Sequence, residues 1–198
     1  MFFYALIVIE NTIGKRDKMH KLLDEYICKK YPKIFADRHK PMTETCMCWG
    51  LDVGNGWLYL IDTLCSRIQS HIDSNNESID KGYTTSTRNK IPQVVALQVK
   101  EKFSGLRFYY SGGDDYIRGI IDFAEELSYS ICESCGMMNE EVGRNPQGWH
   151  VTTCRTHARN IENFQTNGDD ELSKIWKEVH EDEEETRKKI EAASSTKV

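Results

Sequence analysis

Three cysteines and one histidine stand at spacings that are typical of a metal site. The segment CESCGMMNEEVGRNPQGWHVTTCRTH begins with a C-x2-C pair and ends with a C-x2-H pair, and a polar stretch separates the two. Thiolates and imidazoles are the ligands that zinc prefers in proteins, and four of them complete a tetrahedron. The spacing therefore predicts one zinc ion held by Cys132, Cys135, Cys154 and His157.

A second histidine, His150, leaves an alternative for the fourth ligand, because it lies four residues before Cys154. We favour His157, since its C-x2-H spacing mirrors the C-x2-C pair. Either choice gives four protein ligands and leaves no open coordination position for water. The zinc is therefore predicted to be structural rather than catalytic.

The residues around the ligands predict how the chain brings them together. Gly136 follows the second cysteine and suits the tight turn of a zinc knuckle. The stretch between the two pairs reads as a β-hairpin with its turn at 145–148, and Cys154 and His157 fall where a strand passes into a helix. Knuckle, hairpin and helix in this order resemble a treble-clef zinc finger.

Treble-clef scaffolds also occur in HNH-type nucleases, which provides a catalytic alternative. Such a nuclease needs a histidine and an acid for a second metal ion and a general base on the first strand. The stretch between the cysteine pairs contains His150 but no Asp-His or His-His doublet. We therefore expect the protein not to be an enzyme.

The other four cysteines raise the question of a second metal site. Cys46 and Cys48 form a C-x-C pair that could bind a metal together with Cys28, Cys65 or His39. Free cysteine is, however, a common small core residue, and Cys65 lies beside a helical apolar stripe. We expect these four to be ordinary structural cysteines.

The elements that must position the zinc finger can be predicted from hydrophobic periodicity. Apolar residues from Met19 to Ile27 predict a helix that Pro32 ends, and residues 54–72 predict a second helix followed by a polar loop over 73–90. Residues 94–110 predict a hairpin that turns at Ser104–Gly105. A third helix, capped by Asp114 or Asp115 in the sequence SGGDD, leads into Cys132. We expect turn and cap there, not a phosphate site.

The predicted organisation has three parts. Residues 1–131 form an α+β body with helices on a small antiparallel sheet, residues 132–165 form the zinc finger, and residues 166–198 form a charged helical tail. In the tail, Glu183, Glu184 and Glu185 each stand four residues before a base, which favours a solvated helix.

Charge and hydropathy limit the possible functions. The 198-residue chain has a formal net charge of −5, most of it in the tail, so the near-neutral body argues against strong phosphate-backbone binding. The apolar start MFFYALIVI is far shorter than the roughly 20 residues of a membrane helix and has no features of a signal peptide, so we expect a buried strand or helical turn. We accordingly expect a cytoplasmic protein whose cysteines stay reduced.

The stretch from Lys100 to Tyr109, KEKFSGLRFY, resembles a signature found in a family of uncharacterised proteins from tailed phages and bacterial genomes. That signature reads KEKFGGLRFY, with a glycine at the position of Ser104, and is followed by a helix and a CxxC…CxxC/H finger. The resemblance covers about Leu22 to Ala158. It implies a phage or mobile-element origin and a zinc finger, and it implies no activity.

Three functions are consistent with these features. The leading expectation is a non-enzymatic phage accessory protein that binds a host protein, such as a defence or transcription component, in the cytoplasm of the infected cell. The first alternative is nucleic-acid binding through the finger, with Arg144, Arg155 and Arg159 as contacts. The second is a small-ligand (nucleotide) sponge or enzyme with a pocket between hairpin and helices.

Overall fold

The computed structural model describes residues 18–83, 89–139, 141–144, 150–158, 164–166 and 171–195, and these form an α+β fold with two small antiparallel sheets. The helices are α1 (Lys21–Lys30), α2 (Leu58–Asp80), α3 (Asp115–Leu127) and α4 (Glu171–Ser195). The strands β1 (Val95–Lys102) and β2 (Gly105–Ser111) form a hairpin, and β3 (Val142–Arg144) lies between β4 (Thr152–Cys154) and β5 (Gln165–Thr166) in the second sheet. The apolar start predicted to form a strand or helical turn lies outside the described residues.

The first helix confirms the prediction in its position but only partly in its buried face. His20 caps α1 by accepting a hydrogen bond from the backbone N–H of Leu22 at 3.3 Å, and the helix ends before Pro32. Ile27 is fully buried, whereas Leu22 and Tyr26 of the predicted stripe are 68% and 54% exposed. Only part of the predicted apolar stripe therefore packs into the core.

The second helix is longer than the sequence indicates. Its buried residues match the predicted stripe from Ile61 to Ile72, but the helix continues as far as Asp80, into the polar stretch that we expected to be a loop. Asn76 in this extension holds the chain before β1, because its side-chain amide donates to the carbonyl of Ile91 at 2.9 Å and accepts from the Ile91 N–H at 2.8 Å. Polar residues there form a solvated helix end rather than a loop.

The hairpin turns one residue earlier than predicted. Lys102 pairs with Gly105, so Phe103 and Ser104 form a two-residue loop. A register shift between Ala96 and Gln98 interrupts the alternation of β1 and leaves Leu97, an apolar residue of the predicted hairpin, exposed. The inner face of the hairpin packs with α2 and α3 around Trp57 in one hydrophobic core.

The third helix begins as predicted, since the Asp114 carboxylate accepts a hydrogen bond from the N–H of Ile117 at 3.0 Å. After Leu127 the chain continues as a short 3-10 turn, Ser128–Ser130, and reaches Cys132 directly. This helix thereby fixes the start of the finger to the body.

The last helix, α4, has the predicted pairing of opposite charges. Lys188 and Lys189 lie 3.0 and 2.8 Å from Glu184 and Glu185. No helix among the described residues combines the length and the apolar character needed to cross a bilayer.

Candidate metal centre

The four predicted ligands meet at one point of the structure. One ligand atom from each of Cys132, Cys135, Cys154 and His157 lies within 4.8 Å of all the others. The Sγ atoms of Cys135 and Cys154 are 3.9 Å apart, close to the edge of about 3.8 Å that a tetrahedron with zinc–sulfur bonds of about 2.3 Å requires. The His157 Nδ1 atom lies 3.1 Å from Cys154 Sγ and 3.9 Å from Cys132 Sγ. The arrangement is compatible with one tetrahedral metal ion.

The first ligand pair lies on a tight knuckle. The N–H of Gly136 donates to the carbonyl of Cys132 at 2.8 Å, and the N–H of Cys132 donates to the carbonyl of Met137 at 2.8 Å. Gly136 has a φ of +80°, a conformation that favours glycine, as its place after the second cysteine predicted.

The second ligand pair lies at the end of the predicted hairpin. β3 and β4 pair antiparallel with Val142 opposite Cys154, which confirms the hairpin; its predicted turn at 145–148 lies outside the described residues. A single 3-10 turn, Arg155–His157, carries the chain from Cys154 to the histidine where we expected a helix. The strand β5 pairs with β3 and was not predicted, because two residues carry no periodic signal.

The protonation chemistry of the thiols follows their surroundings. Burial raises the pKa of the Cys132 thiol to about 12. Burial also acts to raise the pKa of Cys154, but hydrogen bonds to the side chain and backbone of His157 outweigh it, and that pKa falls to about 7. A metal-bound cysteine is a thiolate, so metal binding must release the protons these groups otherwise hold.

The knuckle is docked onto the body through an acid that the sequence analysis did not single out. Glu133 is 7% exposed, and its side chain accepts a hydrogen bond from the N–H of Gly54 at 2.9 Å. Its carbonyl accepts one from the N–H of Gly56 at 2.7 Å, and the indole of Trp57 donates to the carbonyl of Ile131 at 2.9 Å. The GNG sequence at Gly54–Gly56, before α2, is therefore the part of the body against which the knuckle packs.

The remaining candidate ligands do not join the cluster. His150 is exposed and is not part of the only described group of ligand atoms that could hold a metal, which supports His157 as fourth ligand. Cys28, Cys46, Cys48 and Cys65 are likewise outside it. Burial raises the pKa of Cys28 to about 12 and raises that of Cys65, as expected of core thiols, whereas Cys46 is exposed.

The arginines proposed as contacts have different positions. Arg144 is exposed on β3, and its guanidinium carbon lies 4.4 Å from the centre of the Tyr129 ring. Arg155 is exposed on the 3-10 turn, and Arg159 lies outside the described residues.

For the small-ligand alternative, the structure contains an open depression of about 530 Å³ beside α2, lined in part by His71, Asn75 and Asp114.

Comparisons with known proteins give no family for this chain. No family model, curated protein or solved structure matches it.

Proposed function

We propose that this chain is a non-enzymatic, zinc-binding protein in which a structural zinc ion fixes the finger to the body so that their common surface can bind a partner. The observation that carries this proposal is the cluster of three thiols and one imidazole whose ligand atoms all lie within 4.8 Å of one another. Four protein ligands complete the coordination of zinc and leave no position for a reacting water.

The identity of the metal is tested by analysing the purified protein. We expect one zinc ion per chain, and the absorption spectrum of a cobalt-substituted sample is expected to show tetrahedral coordination with thiolate ligands. A coordination sphere that contains solvent, or a metal content far below one per chain, would contradict a closed structural site.

Paired histidine variants test the ligand set. His157→Ala is expected to lose zinc, because it removes the atom 3.1 Å from Cys154 Sγ, whereas His150→Ala is expected to keep it. The opposite result would exchange the two histidines and leave the zinc proposal standing.

A treble-clef assignment of the finger rests on the order of its elements. A knuckle precedes the β3–β4 hairpin, and a helical turn follows with the fourth ligand on it. The described helical turn contains Arg155–His157, and an experimental structure of the zinc-loaded protein would test whether a full helix continues from it.

The absence of an enzymatic activity is a proposal with its own test. The zinc-loaded protein is expected to leave supercoiled plasmid intact in the presence of magnesium or manganese. Nicking that His150→Ala abolishes would favour the HNH-type alternative.

The expected host-protein partner and the phage origin remain predictions from the sequence. The acid-rich part of α4, whose residues 181–191 are exposed, supports a protein partner, because its paired charges suit a basic protein surface better than a phosphate backbone. A chain lacking residues 171–198 is expected to lose any host-protein partner that the full chain retains at physiological salt.

A further inference from the structure

The outward face of the β1–β2 hairpin concentrates positive charge. Lys100 and Arg107 are direct cross-strand partners on this face, and Lys102 follows at the end of β1. Like charges directly opposite each other destabilise a sheet. Glu125 lies 3.6 Å from the Arg107 guanidinium and offsets part of the repulsion. The Lys100 Nζ atom also lies 5.4 Å from the centre of the Tyr109 ring, and an anionic ligand on this face would offset the remaining repulsion between the two cations.

An aromatic ring connects this face to the finger. Arg107 donates a hydrogen bond to the Tyr129 hydroxyl at 2.9 Å, and the Arg144 guanidinium carbon lies 4.4 Å from the centre of the same ring. The ring covers Gly105, where an added Cβ would come within 2.5 Å of it. Tyr129 thus lies between a cation of the body and a cation of the zinc finger.

The tip of the hairpin presents an exposed aromatic side chain in an unfavourable backbone conformation. Phe103 and Ser104 have φ values of +55° and +69°, and Phe103 is 70% exposed. A bulky residue with positive φ costs on the order of 1 kcal/mol or more, and this ring buries little surface in return. Asn or Gly is the usual choice for such a turn.

Hydrogen bonds from the body and from the finger hold the tip of the hairpin in place. The buried carboxylate of Glu101 accepts a hydrogen bond from the N–H of Ser104 at 2.7 Å. The hydroxyl of Thr152, on the finger strand β4, donates to the carbonyl of Ser104 at 2.7 Å. The finger therefore helps to fix the orientation in which Phe103 meets the solvent.

We propose that this basic–aromatic face binds single-stranded nucleic acid, an inference that rests on the zinc-fixed finger proposed above. The face comprises Lys100, Lys102, Phe103, Arg107, Tyr109 and Arg144. The cations contact phosphates, and the exposed rings of Phe103 and Tyr109 stack with unpaired bases, which is the combination that sequence-tolerant single-strand binding uses.

The overall acidity of the chain does not oppose this binding, because a ligand responds to the local field. The net charge of −5 averages the acid-rich segment after residue 165 with the rest of the chain. Clustered cations on one face can attract a polyanion regardless of acids elsewhere in the sequence.

Binding is measured by fluorescence anisotropy with labelled single-stranded DNA and RNA of about 15 nucleotides and with the corresponding duplexes. We expect both single strands to bind more tightly than the duplexes. With four cations contacting phosphates, the slope of log K against log salt is expected to be about −3. A clear difference between RNA and DNA would identify the natural ligand. The proposal would be overturned if no oligonucleotide bound at low salt, or if duplexes bound as tightly as single strands. A face that binds a protein partner instead predicts that no oligonucleotide binds.

Charge-reversal variants locate the binding site. Lys100→Glu and Arg144→Glu are each expected to weaken single-strand binding at least tenfold. Lys29→Glu, a matched change at an exposed position of α1, is expected to leave the affinity within about twofold. Equal losses in all three variants would show a nonspecific charge effect and contradict a defined face.

Phe103→Asn separates recognition from folding. Asn accepts positive φ, so the thermal midpoint is expected to equal or exceed that of the wild type, while loss of stacking weakens binding about tenfold. Unchanged affinity in this variant would contradict the stacking role. Zinc content is measured on the same samples: zinc-loaded protein that does not bind oligonucleotide refutes only this inference, whereas protein without zinc refutes the proposed function.

Discussion

At the scale of single residues, Gly56 shows how closely the finger approaches the body. A Cβ at this position would lie 2.2 Å from the carbonyl oxygen of Cys132 and 2.4 Å from the backbone nitrogen of Gly136. Both are backbone atoms of the knuckle, so they cannot move away without displacing the ligands. The residue is glycine because the knuckle occupies the space of a side chain.

Gly56→Ala is therefore expected to destabilise the protein by about 1–3 kcal/mol and to weaken zinc binding. Gly119→Ala provides a control for which the expected change in stability has the opposite sign. Gly119 is exposed within α3 and has open space around its missing Cβ, so alanine there is expected to stabilise the helix by about 0.5–1 kcal/mol. Thermal unfolding and zinc titration of both variants check the prediction, which fails if the two changes shift the midpoint in the same direction.

The four residues of the metal-ligand cluster were predictable at the residue scale because their signal is local. Each pair lies within four consecutive residues, and the residue types alone indicate zinc. The partners of Glu133 were not predictable in this way, since Gly54 is far away in the sequence and a buried acid has no periodic signature. The positive φ of Phe103 was hidden for a different reason: the sequence offered Gly105 as the more usual turn residue.

At the scale of elements, helices α2 and α3 are joined by a polar contact that depends on pH. The His71 Nε2 atom lies 2.9 Å from the carboxylate of Asp114, the residue that caps α3. The His71 ring also packs against Tyr116 with 4.3 Å between ring centres. Burial acts to raise the pKa of Asp114, but the hydrogen bonds from His71 and Ile117 outweigh it and lower the pKa below its usual value.

A lowered carboxylate pKa stabilises the folded state above the pKa of the unfolded chain, near 4. This contribution is expected to disappear as the pH falls through the lower, folded-state pKa. Asp114→Asn keeps a cap but loses the charge, so it is expected to cost less than about 1 kcal/mol at neutral pH and nothing at the acidic end. Thermal melts of both proteins from neutral pH down to the acidic end test the prediction, with Asp115→Asn at the neighbouring exposed site as control. A difference between Asp114→Asn and wild type that stays constant at all pH values contradicts it.

Helix and hairpin positions were predictable from periodicity, whereas lengths and registers were not. The stripe from Ile61 to Ile72 gave the buried face of α2, but its end was hidden because a solvated helix and a loop have the same polar composition. The bulge near Leu97, which interrupts the alternation of β1, was not predicted either. Such features depend on contacts between elements that are distant in sequence.

At the scale of the whole molecule, the finger and the body depend on each other. The body donates two hydrogen bonds to Glu133 of the knuckle, from the N–H groups of Gly54 and Gly56, and the indole of the fully buried Trp57 donates to Ile131 just before the knuckle. The tip of the hairpin receives one more from Thr152 of the finger. Loss of the metal is therefore expected to affect the core and the proposed binding face together.

Removal of zinc by a chelator is expected to lower the thermal midpoint of the entire protein rather than to melt the finger alone. Zinc binding to small finger domains contributes an apparent 10–16 kcal/mol, and a loss of even about 3 kcal/mol here would lower the midpoint by roughly 6–12 °C. The same loss is expected on mild acidification, because protons compete with zinc for the three cysteines and for His157. Cys46→Ser, at an exposed cysteine outside the cluster, is expected to respond to chelator as the wild type does. Thermal unfolding followed by near-ultraviolet circular dichroism, which reports on the packing of aromatic side chains such as the buried Trp57, measures the effect. Chelator that removes the zinc and leaves this transition unchanged would show that finger and body fold independently.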